Sequence, residues 1–162
     1  RIYGGGHERG IRSGTLNVPA IVGFGEAVRI ARQEMDEAAV RYRGWTRHMY
    51  ESLREKIEGI KLNGHPTQRL PHNLSVSIPG IDAKALVMNL EGVAISTGSA
   101  CTAASVEPSH VILALGFGEE RAHATLRIGV GRSNDDSMID SVISRIAVSV
   151  KRLRSLMPDY PG

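Results

Sequence analysis

The stretch HNLSVSIPG, residues 72–80, is where the hydrophobic period of this chain shortens from that of a helix to that of a strand. Leu74, Val76 and Ile78 alternate with Asn73, Ser75 and Ser77. Successive strand side chains point to opposite faces, so the alternation predicts a half-buried strand with its three aliphatics inward and its polar residues outward. Pro79 and Gly80 follow with turn chemistry.

Upstream the spacing is helical. Asn17 offers an N-cap and Pro19 is tolerated in a first turn. Ile21, Phe24, Val28, Ala31 and Met35 recur at helical intervals, and Ala38, Tyr42, Trp45, Met49, Leu53 and Ile57 continue them until Gly59. One long helix, or two in tandem, fits this run. It is well beyond the ~10–14 residues of an average globular helix and suggests an element bridging two domains.

Downstream, IDAKALVMNLEG reads as a short helix closed by Gly92, VAIS as a short strand, and Pro108 to Leu115 as another short helix ending at Gly116. TLRIGV, residues 125–130, alternates as a strand. Ser133 with Asp136 resembles a capping box for a last helix, whose inward stripe is Ile139, Val142, Ile146, Val150, Leu153 and Met157, stopped by Pro158. Strands separated by helices, without repeats or low complexity, predict a mixed α/β fold.

The 162 residues are 41% hydrophobic and 23% charged, which suits a folded core. The net charge of +3 is spread among acids, as in QEMDEAAVRYRGWTRHMYESLREK (33–56), and no basic stripe with interleaved aromatics points to nucleic acid. No apolar run reaches the ~20 residues of a spanning helix, and the first residues carry no signal-peptide pattern, so no membrane role is expected. A single cysteine excludes an intrachain disulfide and fits a reducing cytoplasm. No pair of the six histidines has metal-ligand spacing, so no metal site is expected.

Three places carry chemistry. GGGHERGIRSGT (4–15) gathers glycines, hydroxyls and two arginines, Arg9 and Arg12; it could cradle a phosphate or serve as a plain connector. It is not a Walker loop, because no Lys follows its last Gly, and it lacks the preceding strand of a dinucleotide fingerprint. Cys101 lies in ISTGSACTAAS (95–105), among residues too small and polar for a core, which reads as an exposed loop with a reactive thiol. Arg127 points opposite Leu126 and Ile128 and must meet an anion or water: a substrate carboxylate, or a structural ion partner.

Taken together, GGGHERGIRSGTLNVPAIVGFGEA (4–27), STGSACTAAS (96–105), EPSHVILALG (107–116) and RAHATLRIGVGR (121–132) resemble the C-terminal part of the NifS/IscS-type, group I cysteine desulfurases of the class-V, fold-type-I PLP-dependent aminotransferase superfamily. The resemblance implies an α/β fold, a small mixed domain with a short sheet flanked by helices and a long interdomain helix. Residues 1–35 would end the large cofactor-binding domain as a loop plus helix, and residues 36–162 would form the small domain with a mobile cysteine loop. It implies that Cys101 takes sulfur from L-cysteine as a persulfide, that Arg127 binds the substrate carboxylate, and that Thr15 reaches the pyridoxal 5'-phosphate of the other subunit of a homodimer. Glycine and small residues would lower the cost of moving that loop.

The family's Schiff-base lysine follows a histidine in a segment upstream of GGGHERG; here Lys56, Lys61, Lys84 and Lys151 all lack that histidine. The expectation is therefore a portion that needs a large N-terminal domain, or a partner chain, and that is inactive alone. The whole enzyme would be cytoplasmic and would pass sulfur to an acceptor such as an iron–sulfur scaffold protein. The competing reading is a non-catalytic sulfur-carrier or assembly subunit that holds a partner; a selenocysteine lyase or aminotransferase relative fits the GSAC segment less well.

Overall fold

The computed structural model describes residues 2–97 and 108–156, in two compact units, residues 1–37 and 38–162. The expected long helix is a single one, α1 (Val18–Lys56), of 39 residues. The Asn17 carboxamide oxygen accepts from the Ala20 N–H at 3.2 Å, as an N-cap should.

In the first unit, residues 2–16 form a loop ahead of α1, with one 3-10 turn at Glu8–Gly10 and a bridge between Ile2 and Arg12. Ile21, Phe24, Val28 and Met35 on its part of α1 are exposed. On the same stretch Arg29 binds Glu26 through two N–H groups, at 2.7 and 2.6 Å, and reaches Gln33 at 3.0 Å.

The second unit is the mixed α/β domain that the strand–helix alternation predicts. Its elements after α1 are β1 (Lys61–Leu62), β2 (Asn73–Ser77), α2 (Ala83–Met88), β3 (Ser96–Thr97), α3 (His110–Ala114), α4 (Glu119–His123), β4 (Thr125–Gly129) and α5 (Asp136–Ser155). The strands pair antiparallel in the order β1-β2-β4-β3. Leu74 and Val76 of β2 lie opposite Ile128 and Leu126 of β4, so the apolar face of both strands is continuous. That face joins Trp45, Met49 and Leu53 of α1, Leu86 of α2, and Ile139, Ile143, Ile146 and Val150 of α5 in one core. Burial of each large aliphatic there contributes on the order of 1.5–3 kcal/mol.

Four local expectations change. α2 stops at Met88 because the Asn89 carboxamide donates to the Ala85 carbonyl at 2.9 Å, and Gly92 instead takes the left-handed turn that follows, at φ +69°. The N-cap of α5 is Asp135 rather than Ser133, with its carboxylate accepting from the Met138 N–H at 2.9 Å. The helical stripe of α5 buries Ile143 in full where the spacing pointed to Val142, while Met157 and Pro158 lie outside the described residues. Finally, Ser77 is buried rather than outward-facing on solvent, and α4 and β1 have no counterpart in the periodicity.

Candidate active site

The second face of the sheet is polar, and its two ends differ. At one end Ser77 of β2 lies opposite Thr125 of β4, and both are buried. The Thr125 hydroxyl donates to the Arg121 carbonyl at 2.6 Å, so its oxygen is left as the acceptor for the Ser77 hydroxyl at 2.8 Å. The Asn63 amide donates to Ser77 Oγ at 2.8 Å, and its carbonyl oxygen accepts from Arg121 Nε at 2.9 Å. Arg121 also donates to the Leu62 carbonyl at 2.9 Å and lies over the Phe117 ring, 3.5 Å from its centroid. Partial desolvation pushes the Arg121 pKa down. Every hydroxyl proton in this cluster has a destination, which is what a buried polar group requires. Sequence reasoning missed the cluster; the only signal was the polar half of the β2 alternation.

The other end of that face is open, and Arg127 stands there. Burial alternates along β4, with Leu126 and Ile128 inside and Arg127 exposed. The antiparallel register places Ser75 of β2 and Ser96 of β3 directly on either side of Arg127, in one row across three strands. Arg127 Nη2 donates to Ser96 Oγ at 3.4 Å, and among the described residues the guanidinium has no carboxylate partner. Among the described residues, then, Arg127 takes part in no structural ion pair. The arrangement can receive a carboxylate: two parallel N–H groups of a guanidinium match its two oxygens.

Thr15 belongs to the first unit. Arg12 donates to the carbonyls of Gly14 and, at 3.5 Å, Thr15, and pairs at 3.9 Å with Glu8. The Ser13 hydroxyl donates to the Gly5 carbonyl. Arg12 through Nη1, and Ser13 through its hydroxyl proton, both candidate phosphate ligands by composition, thus brace the loop. Gly14 at φ +95° makes the bend that ends at Thr15, a conformation a side chain would strain. Thr15 is exposed, and its hydroxyl carries no hydrogen bond among the described residues, so it fits a phosphate oxygen as a single polar contact. Lys56, Lys61, Lys84 and Lys151 are all exposed side chains of the second unit. Cys101 lies outside the described residues, as does the segment 98–107 that carries it. His65 accepts at Nδ1 from the Thr67 and Gln68 N–H groups, closing a turn.

The fold and these motifs define the class: the sequence profile of the aminotransferase class-V family matches residues 5–142, and the chain belongs to that family. Among its relatives, the cysteine desulfurase IscS of Photorhabdus laumondii is 47% identical over 156 residues, covering 96% of this chain and 38% of the relative. The cysteine desulfurase IscS of Anaeromyxobacter dehalogenans is 44% identical over 157 residues, covering 97% and 39%. The chain therefore spans about two-fifths of the length of the curated relatives it matches. Among solved structures, a NifS-like protein from Rickettsia africae superposes with a TM-score of 0.79 at 28% identity, over 93% of this chain and 39% of that one. DndA from Streptomyces lividans gives 0.57 at 33% identity, over 79% and 36%. The resemblance to NifS/IscS-type proteins read from the motifs is borne out, and no described helix is long and apolar enough to cross a membrane.

Proposed function

We propose that this chain is the carboxylate-binding and sulfur-accepting portion of a PLP-dependent cysteine desulfurase, which converts L-cysteine to L-alanine and leaves a persulfide on Cys101. The observation that carries the reading is Arg127, a guanidinium exposed in a strand with a serine contact and, among the described residues, no acidic partner. The IscS relatives support the substrate, since cysteine brings the carboxylate that Arg127 lacks.

In this reading Arg127 orients the substrate and the Cys101 thiolate attacks its sulfur. A sulfur–sulfur bond forms as the carbon–sulfur bond breaks, the bonding electrons stay with carbon, and protonation there releases alanine. Pyridoxal 5'-phosphate, when bound, supplies the electron sink for that cleavage. Thr15 contributes a hydroxyl to the cofactor phosphate, offered across a homodimer. Residues 1–35 end the large domain and residues 36–162 form the small one, with α1 joining them. The remaining cofactor groups, including the Schiff-base lysine, belong to sequence other than these 162 residues. The complete enzyme works in the cytoplasm and hands its sulfur to an iron–sulfur scaffold or a similar acceptor.

The test is the intact mass of the full-length protein, loaded with pyridoxal phosphate, after L-cysteine is added and removed. A gain of one sulfur that reductant reverses, and that Cys101→Ser abolishes, is expected. Unchanged mass on a folded, loaded protein would favour a non-catalytic subunit that holds a partner.

A further inference from the structure

We infer that Ser96 is a positioning residue for Arg127, holding its guanidinium in the orientation that receives the substrate carboxylate. The inference rests on the carboxylate reading of Arg127 given above.

β3 pairs only with β4 among the described strands, and Ser96 is the residue directly opposite Arg127. Directly opposite residues in an antiparallel pair present their side chains to the same face, within reach of each other. The roles in the contact are set by the single hydroxyl proton. Ser96 Oγ donates that proton to the Thr97 carbonyl at 2.7 Å, which leaves its lone pairs as acceptors for Arg127 Nη2 at 3.4 Å. Ser75, on the other flank, accepts from the Asn63 amide at 3.3 Å and so is tied to the closed end of the polar face. Among the described residues Arg127 is thus held from one side only. A guanidinium has five N–H donors, so one contact to Ser96 leaves enough for a two-point grip on a carboxylate. An arginine otherwise exposed would sample many rotamers, and the tether removes part of that freedom before substrate arrives. Both flanking residues are small, which leaves the approach to the guanidinium open. Ser96 also belongs to the same STGSAC segment as Cys101, so the residue that orients the carboxylate grip and the residue that takes the sulfur are close in sequence.

The experiment uses the full-length, pyridoxal-phosphate-loaded enzyme with Ser96→Ala, Ser96→Thr, Arg127→Ala and the Ser96→Ala/Arg127→Ala double variant. Four quantities are read: KM and kcat for L-cysteine, the Kd of L-alanine by calorimetry, and Tm. Loss of one acceptor to a charged donor is expected to raise both KM and the L-alanine Kd about fivefold in Ser96→Ala, with kcat within about twofold. Ser96→Thr keeps the acceptor and stays within about twofold of the parent in both. In the Arg127→Ala background the Ser96 change adds nothing, because it acts through the missing guanidinium. Should Ser96→Ala lower Tm so far that it cannot be assayed, Ser96→Thr decides: parental affinity supports the tether and lost affinity overturns it. Raised KM in Arg127→Ala with unchanged values in Ser96→Ala would overturn the positioning role and leave the carboxylate reading standing. Unchanged KM and Kd in Arg127→Ala would overturn the carboxylate reading itself.

Discussion

Asn63→Ala should destabilise the second unit by about 3 kcal/mol, because Asn63 is the hub of the polar cluster under α4. Its side chain is 3% exposed and makes two well-formed hydrogen bonds, to Ser77 Oγ at 2.8 Å and from Arg121 Nε at 2.9 Å, with two longer ones to Ser75 and Thr125. The neutral bond is worth about 1 kcal/mol. The arginine bond belongs at the lower end of the charged range, about 1.5 kcal/mol, since Arg121 is only part-buried and water replaces some of the loss. A small residual cavity brings the sum to about 3 kcal/mol. Asn63→Leu fills the volume but restores neither partner, so it should be no better than the alanine variant.

The assay is urea unfolding of the 162-residue chain, followed by the fluorescence of Trp45. This is its one tryptophan, buried at 8% exposure and donating through Nε1 to the Asp136 carboxylate. With a slope of about 2 kcal/mol/M, the midpoint should fall by about 1.5 M urea in both variants. A fall equivalent to under about 1 kcal/mol in Asn63→Ala would refute the network argument. So would a recovery of the midpoint in Asn63→Leu, which would make Asn63 a matter of volume alone.

Two further outcomes are expected. The Asp135 carboxyl sits below its ordinary value, chiefly through the Ser137 hydroxyl and then the Met138 N–H. A group lowered in the folded state contributes stability that is complete above its unfolded pKa and is lost as pH falls through the folded one. Tm should therefore drop below about pH 4, and Asp135→Asn should flatten that acid limb in a Tm-against-pH series. The 162-residue chain alone, given pyridoxal phosphate and L-cysteine, should release no alanine by amino-acid analysis, because its four lysines all lack the histidine that precedes the family's cofactor lysine; turnover would place the Schiff-base residue among them.

What could be read from the sequence follows from what local chemistry decides. Alternation in HNLSVSIPG and TLRIGV is a local property, and it placed β2, β4 and the outward-facing Arg127 correctly. Helical spacing likewise located α1 and α5. Ser77 was assigned to solvent because a serine in an alternating strand has no local reason to be buried. The reason is tertiary: Asn63 and Thr125 arrive from elsewhere in the chain to complete its hydrogen bonds. The start of α5 was misread for a similar cause, since Ser133 and Asp135 both suit a cap and only backbone geometry chooses between them. β1 has two residues, too few for a period to register, and the short strand read in VAIS is β3 at Ser96–Thr97, shifted toward the C-terminus. Ser96 carries no signal by itself; its relation to Arg127 exists only in the register of the β3–β4 ladder.

That register joins stability to chemistry. In antiparallel pairing a slip of one residue turns every side chain to the opposite face. Here it would expose Leu126 and Ile128 and drive Arg127 into the core, so the apolar face fixes the register by the largest energies in the unit. The polar cluster at Ser77 and Thr125 adds a second lock on the same two strands, two residues along each from the row that holds Ser75 and Arg127. An arginine that must offer a preset grip gains from both locks without contributing to either. Its own substitution should therefore change ligand affinity while leaving unfolding nearly untouched, whereas Asn63 substitutions should lower stability first.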